Sequence, residues 1–186
     1  MARIVAGTLG GRRIAVPSGR ETRPTSDRVR EALFSTLETL AELAGCRFLD
    51  LYAGSGAAGL EAASRGAAAV LLVESDPRAA RVIAGNVAAL GLGSTCRLRT
   101  AKVASVLAGG ADEPYDVVFA DPPYGLDAGE VTAILAALVE HGWLAGDAVV
   151  VVERATRDRE PVWPPGLVAD RARRYGESTL WYGRRG

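Results

Sequence analysis

Short apolar runs alternate along this chain with longer stretches whose apolar residues recur at helical spacing. The runs at Arg47–Tyr52, Ala69–Val73, Cys96–Arg99, Tyr115–Ala120 and Ala148–Glu153 are too short for helices and read as buried strands. Val29, Leu33, Leu37 and Leu40 fall at i, i+4, i+8 and i+11, one apolar face. They predict a helix from Arg28 to about Ala44, capped by Ser26 or Asp27. Further helices are predicted after Gly59 through Arg65, from Asp76-Pro77 to about Leu90, from Val103 to Leu107 and from Asp127 to His141. Pro77 falls in a first turn, where its missing N–H does no harm. Strictly alternating strands and helices predict an α/β fold, a parallel sheet with helices on both faces.

The two ends of the chain break this rhythm. Arg3–Gly7 and Arg13–Val16 flank Gly10-Gly11 and predict a small β-hairpin, too short to stand alone and expected to lean on the main domain. Leu167–Arg173 and Ser178–Tyr182, joined at Tyr175-Gly176-Glu177, predict a second hairpin, antiparallel, on the edge of the main sheet. The division expected is a basic hairpin extension over residues 1–22 and one domain over 23–186.

Composition narrows the class. In 186 residues, 48% hydrophobic, there is material for one core and little else. No run approaches the ~20 apolar residues of a membrane span, and Met1-Ala2-Arg3-Ile4 does not open a signal peptide, so a cytoplasmic protein without membrane contact is expected, taken as a monomer. Cys46 and Cys96 lack CxxC spacing and a His partner, so buried free thiols are expected rather than a metal site or a disulfide. His141 falls at a helix end and reads as a capping residue. The net charge is zero, but it is unevenly spread. Residues 1–30 carry seven arginines against two acids and residues 154–186 eight arginines against four, while residues 31–153 carry a net charge of −9. Basic ends around an acidic middle point to a polyanionic partner held by the termini. Arg12 and Arg13 at the hairpin turn, with Arg28 and Arg30 at the start of the first helix, are the candidate contacts.

Two motifs carry chemistry. Ala53-Gly54-Ser55-Gly56-Ala57-Ala58-Gly59 follows one strand and opens a helix, and the next strand ends in Glu74 followed by Ser75. Glycines allow a nucleoside to approach the backbone closely, and an acid at that place can accept from both ribose hydroxyls. Asp121-Pro122-Pro123-Tyr124 ends another strand, at the sheet edge where α/β folds bind ligands. The Asp121 carboxylate and the Pro122 carbonyl can accept the two N–H bonds of an aromatic amino group. That favours the pyramidal, nucleophilic form of the nitrogen. Tyr124 offers a face for the base, worth about 1–3 kcal/mol. The bland alternative is a strand closed by two prolines, with Asp121 in a turn and Tyr124 in the core.

The glycine loop suits NAD as well as S-adenosylmethionine. A dehydrogenase needs a hydride-transfer site and usually a substrate domain, for which no length remains. Asp50, just before the loop, suits a cofactor with a cationic amino-acid group, and the Asp121 corner suits methyl transfer to an amino group. S-adenosylmethionine is therefore the expected cofactor, with no metal.

The stretches Arg23-Pro24-Thr25-Ser26-Asp27-Arg28-Val29-Arg30-Glu31 and Leu49-Asp50-Leu51-Tyr52-Ala53-Gly54-Ser55-Gly56 stand beside Glu74 and Asp121-Pro122-Pro123-Tyr124. Together they resemble the bacterial 16S ribosomal RNA guanine-N2 methyltransferases over nearly the whole chain. The four-residue corner is shared with many amino-methyltransferases; the Arg23–Glu31 segment is far more specific. The resemblance implies a Rossmann-like, doubly wound sheet of seven strands, mainly parallel with the last one antiparallel. It also implies methylation of one guanine of 16S RNA in an assembling small ribosomal subunit. It places Arg23 and Thr25 by the methionine end of the cofactor, Gly54 and Gly56 beneath it, and Glu74 on its ribose. The family's polar residue after the third strand is here Lys102, so the adenine contact is expected from the backbone near Lys102 and Val103. The rivals are a DNA amino-methyltransferase, which generally carries a target-recognition domain, an NAD-dependent oxidoreductase, and a non-catalytic RNA-binding module.

Overall fold

The computed structural model describes residues 2–18 and 26–186. Its main sheet contains β3 (Arg47–Leu51), β4 (Ala69–Glu74), β5 (Cys96–Thr100), β6 (Tyr115–Ala120), β7 (Leu144–Ala155), β8 (Leu167–Tyr175) and β9 (Ser178–Arg185). The strand order is β5-β4-β3-β6-β7-β9-β8. The pairs from β5 to β7 are all parallel, and β9 lies antiparallel between β7 and β8. The chain leaves β3 toward β4 and β5, then returns to place β6 on the other side of β3. That reversal opens a crevice beyond the ends of β3 and β6.

Alternation along the strands sorts their side chains into two cores. Phe48, Leu72, Phe119 and Val151 pack on one face with α1 (Asp27–Leu40), α2 (Ala57–Ser64) and α3 (Pro77–Ala89). Leu49, Val73, Val118 and Val152 pack on the other with α4 (Val103–Ala108) and α5 (Ala128–Glu140). The layering is that of a doubly wound α/β fold. No helix of the described residues is long and apolar enough to cross a membrane. Cys46 and Cys96 are free and buried.

The hairpin strands are shorter than expected, β1 being Ala2–Arg3 and β2 Arg13–Ile14. What holds this extension is the main domain. Ile4 and Ile14 enter the first core, and the Glu61 carboxylate on α2 accepts from the Val5 and Ala6 N–H groups at 2.8 and 3.0 Å. The first helix also stops early: Ala41 is extended, and the turn that follows delivers Leu43 to the core. His141 does occupy the C-cap of α5.

Candidate active site

A cleft of about 640 Å³ opens at the carboxyl ends of β3, β4 and β6, within the range of small-molecule sites. Its floor is the loop between β3 and α2. Tyr52, at φ 59°, turns the chain out of the sheet in a conformation that non-glycine residues rarely adopt, a kind of strain that clusters at functional sites. Gly54, at φ 59°, lines the cleft, and a Cβ there would meet no protein atom within 4 Å. The floor is thus left clear for a ligand. Gly59 is required for the opposite reason, since a Cβ would fall 2.8 Å from Leu72 and 3.2 Å from the Asp50 carboxylate. That close approach lets Asp50 Oδ2 accept from the Gly59 N–H at 2.8 Å.

Glu74 braces the loop from the side. Its Oε1 accepts from the Gly54 N–H at 2.9 Å and its Oε2 from the Asp76 N–H at 2.8 Å. The carboxylate is half-buried, and each oxygen keeps a further acceptor site toward the cleft. Ser75 and Asp76 line the same wall. Asp50 is buried, and burial raises its carboxyl to about 8, against the lowering effect of the Gly59 bond. Without a cation beside it, the group holds its proton at neutral pH; an ammonium group in the cleft would draw it back to the ionised form.

Across the cleft stands the corner after β6. Pro122 is buried, Asp121 half-buried, and Tyr124 60% exposed, at the rim rather than in the core. All three line the cleft. The loop is held from below by Arg154, whose Nη2 donates to the Leu126 carbonyl at 2.8 Å. Beyond it Asp127 and Glu130 form a capping box that starts α5. An acceptor pair and an aromatic face are therefore held opposite a nucleoside-sized floor.

Asp50, Ala53, Gly54, Ser55, Glu74, Ser75, Asp121, Pro122 and Tyr124, all expected from sequence, meet at this one cleft. Gly56 lies beneath it as the N-cap of α2. Arg23 and Thr25 fall outside the described residues; Ser26 and Val29, just after them, do line the cleft. The Val103 side chain packs in the second core, which leaves backbone groups for the adenine contact expected near Lys102 and Val103. One expectation is corrected. Arg30 is 1% exposed and so not on the RNA-facing surface. Its Nε lies 3.3 Å from the buried Glu61, Nη2 lies 2.9 Å from Asp27, and it also donates to the Arg3 carbonyl. The buried Glu61 carboxylate on α2 needs cationic partners, and Arg30 supplies one beside Arg65, whose Nε lies 3.0 Å from Oε2. Arg12, Arg13 and Arg28 are exposed, with Arg12 Nη2 donating to the Ala89 carbonyl at 3.2 Å.

Other residues that shape the cleft carry no sequence signal. Asn86 on α3 donates to the Ser55 carbonyl at 3.0 Å and exchanges two 2.9 Å bonds with the Ala15 backbone. It ties the glycine loop to the extension, so that Val16 and Pro17 become a wall of the cleft. Glu153 at the end of β7, with Tyr175 and Glu177 at the β8–β9 turn, closes the far side.

Comparison with known proteins accounts for this arrangement. A family profile described as Conserved hypothetical protein 95 matches residues 2–184. Ribosomal RNA small subunit methyltransferase D of Escherichia coli K12 is 40% identical over 162 residues, 87% of this chain and 79% of that protein. The protein of the same name from Haemophilus influenzae is 36% identical over 169 residues, 88% of this chain and 82% of its own length. The chain belongs to this bacterial methyltransferase family. The solved structure of the Escherichia coli protein yhhF superposes with a TM-score of 0.85 at 36% identity, covering 98% of this chain and 97% of that one. The match takes in nearly the whole chain, and the family profile includes the hairpin extension.

Proposed function

We propose that this protein transfers a methyl group from S-adenosylmethionine to the exocyclic N2 amino group of one guanine in 16S ribosomal RNA, as part of small-subunit assembly. The observation that carries this reading is the pairing, across one cleft, of a Glu74-braced glycine floor with the Asp121-Pro122-Pro123-Tyr124 corner. The relatives named above, called ribosomal RNA small subunit methyltransferases, support the RNA class of the substrate.

The residues present fit the cofactor. The clear floor at Gly54 admits its nucleoside, and Glu74 and Ser75 stand where ribose hydroxyls need acceptors. The buried Asp50 gains its charge when a cationic amino-acid group lies nearby. When bound, S-adenosylmethionine supplies an electrophilic methyl carbon on a cationic sulfur, the methyl–sulfur bond breaking as the methyl is transferred to leave neutral S-adenosylhomocysteine. Tyr124 stacks on the guanine and fixes its plane. Asp121 and the Pro122 carbonyl accept the two N2–H bonds, which localises the nitrogen lone pair on the side facing the cofactor. As the N–C bond forms, positive charge develops on N2 beside the Asp121 carboxylate, which takes the proton that leaves. Residues 1–22 serve as a basic arm that grips RNA phosphates through Arg12 and Arg13, joined by Arg28, while residues 23–186 carry the chemistry.

The test is to incubate the protein with tritiated S-adenosylmethionine and small-subunit RNA or particles, digest the RNA and separate the nucleosides. Label in N2-methylguanosine at one position supports the reading. Label confined to N6-methyladenosine or N4-methylcytosine would favour a different amino-methyltransferase.

A further inference from the structure

We infer that Glu153 is the residue that selects guanine, by accepting the N1–H that flanks the reacting amino group; this rests on the guanine-N2 reading above. Ala120 and Val152 are paired in the parallel β6–β7 ladder. The residues that follow them, Asp121 and Glu153, therefore lie side by side at the sheet edge. Phe119 and Val151, two positions earlier on the same strands, face the first core, so period-two alternation turns Asp121 and Glu153 to that side as well. Both acids line the cleft, and both also border a small recess shared with Pro122, Tyr124 and Ser178. Glu153 is only 8% exposed, and what it leaves accessible borders the cleft and this recess. It already takes part in an interaction within the protein. An ionised carboxylate nevertheless has about four lone-pair sites, which leaves room for a ligand.

Base chemistry gives this second acid its meaning. Methylation of adenine N6 or cytosine N4 places an amino group next to a ring nitrogen that is an acceptor, N1 or N3. Only guanine places its amino group next to a ring N–H. With Asp121 accepting from the amino group, a neighbouring carboxylate attracts guanine N1–H and repels the lone pair of adenine N1 or cytosine N3. A buried acceptor left facing a lone pair is the situation in which sites reject analogues most strongly. Accepting N1–H also pushes electron density toward N2, the atom that must attack.

The experiment compares small-subunit RNA carrying guanine at the target with the same RNA carrying 2-aminopurine there. The analogue keeps the reacting 2-amino group, replaces N1–H with a lone pair and lacks O6, so the Glu153 variants are what assign the preference to N1. Wild type should prefer guanine in kcat/KM by about a hundredfold or more. Glu153→Gln, whose amide can donate to the analogue's N1 or accept from guanine N1–H, should shrink the guanine preference at least tenfold by gaining on the analogue relative to guanine, while S-adenosylmethionine affinity stays unchanged. Glu153→Asp, which retains the carboxylate, should keep the preference at a lower rate. Equal losses by Glu153→Gln on both RNAs, or a loss traced to weaker cofactor binding, would overturn the inference. So would a wild type that uses both RNAs equally, an outcome that needs no folded variant. Absence of N2-methylguanosine from wild type acting on the guanine RNA would instead fell the parent reading.

Discussion

Glu74 offers a test in which loop shaping and ligand binding can be told apart. Glu74→Ala removes two hydrogen bonds from a carboxylate to backbone N–H groups, at Gly54 and Asp76. Such bonds to charged groups contribute about 1.5–3 kcal/mol when buried. Glu74 is half-exposed, so about 2–3 kcal/mol for the pair is a fairer figure. For a chain of this size that lowers Tm by roughly 4–12 °C. If Glu74 also accepts the ribose hydroxyls, cofactor affinity falls by a further 1.5–3 kcal/mol, or roughly 10- to 150-fold in Kd. Calorimetric titration with S-adenosylhomocysteine and with its 2′-deoxy analogue separates the two effects. Wild type should bind the deoxy analogue more weakly, and Glu74→Ala should bind both alike. A penalty for the missing hydroxyl that persists undiminished in Glu74→Ala refutes the ribose contact, leaving Glu74 as a brace only.

Tyr124→Phe should keep near wild-type activity because it retains the ring face, whereas Tyr124→Ala should weaken base binding by about 1–3 kcal/mol. Equal loss in both would show that the hydroxyl, not the face, is used. Arg12→Glu with Arg13→Glu should reduce the slope of log RNA affinity against log salt by roughly 0.7–0.9 for each phosphate that is no longer neutralised, with Tm and cofactor affinity nearly unmoved. An unchanged slope would move the RNA grip to the arginines of residues 154–186. Asp50 sets a pH dependence. Its carboxyl is raised to about 8 in the fold, so protonation favours the folded state. The contribution is full below the ordinary carboxylate pKa of about 4 and declines as pH rises through 8, by at most about 1.4 kcal/mol per pH unit. Asp50→Asn should flatten urea-midpoint stability measured without cofactor between about pH 5 and 8; profiles of equal slope would contradict the raised value.

The sequence made the parallel half of the fold legible because strands buried on both faces leave unbroken apolar runs, as at Val149–Val152. The glycine loop and the Asp121 corner were legible because each is a local motif next to a strand end. Arg30 was not. From its spacing it belongs to a helix start among other arginines, and only the fold reveals Glu61, thirty-one residues away, as its buried partner. Asn86 was hidden for the same reason, since its two partner residues, Ser55 and Ala15, lie 31 and 71 residues distant. The carboxyl-terminal hairpin was visible as a hairpin, but the insertion of β9 between β7 and β8 was not. That insertion is what brings Tyr175, Glu177 and Ser178 to the cleft beside Glu153.

Everything proposed for this site depends on the corner at Asp121 driving attack by an amino group on a cofactor held by the opposite floor. The decisive experiment is single-turnover methyl transfer by Asp121→Ala, with S-adenosylmethionine affinity measured on the same preparation. The rate should fall by about two to three orders of magnitude, typical of losing a fixed electrostatic partner, with cofactor affinity and fold largely retained. A single-turnover rate within threefold of wild type would place the chemistry elsewhere.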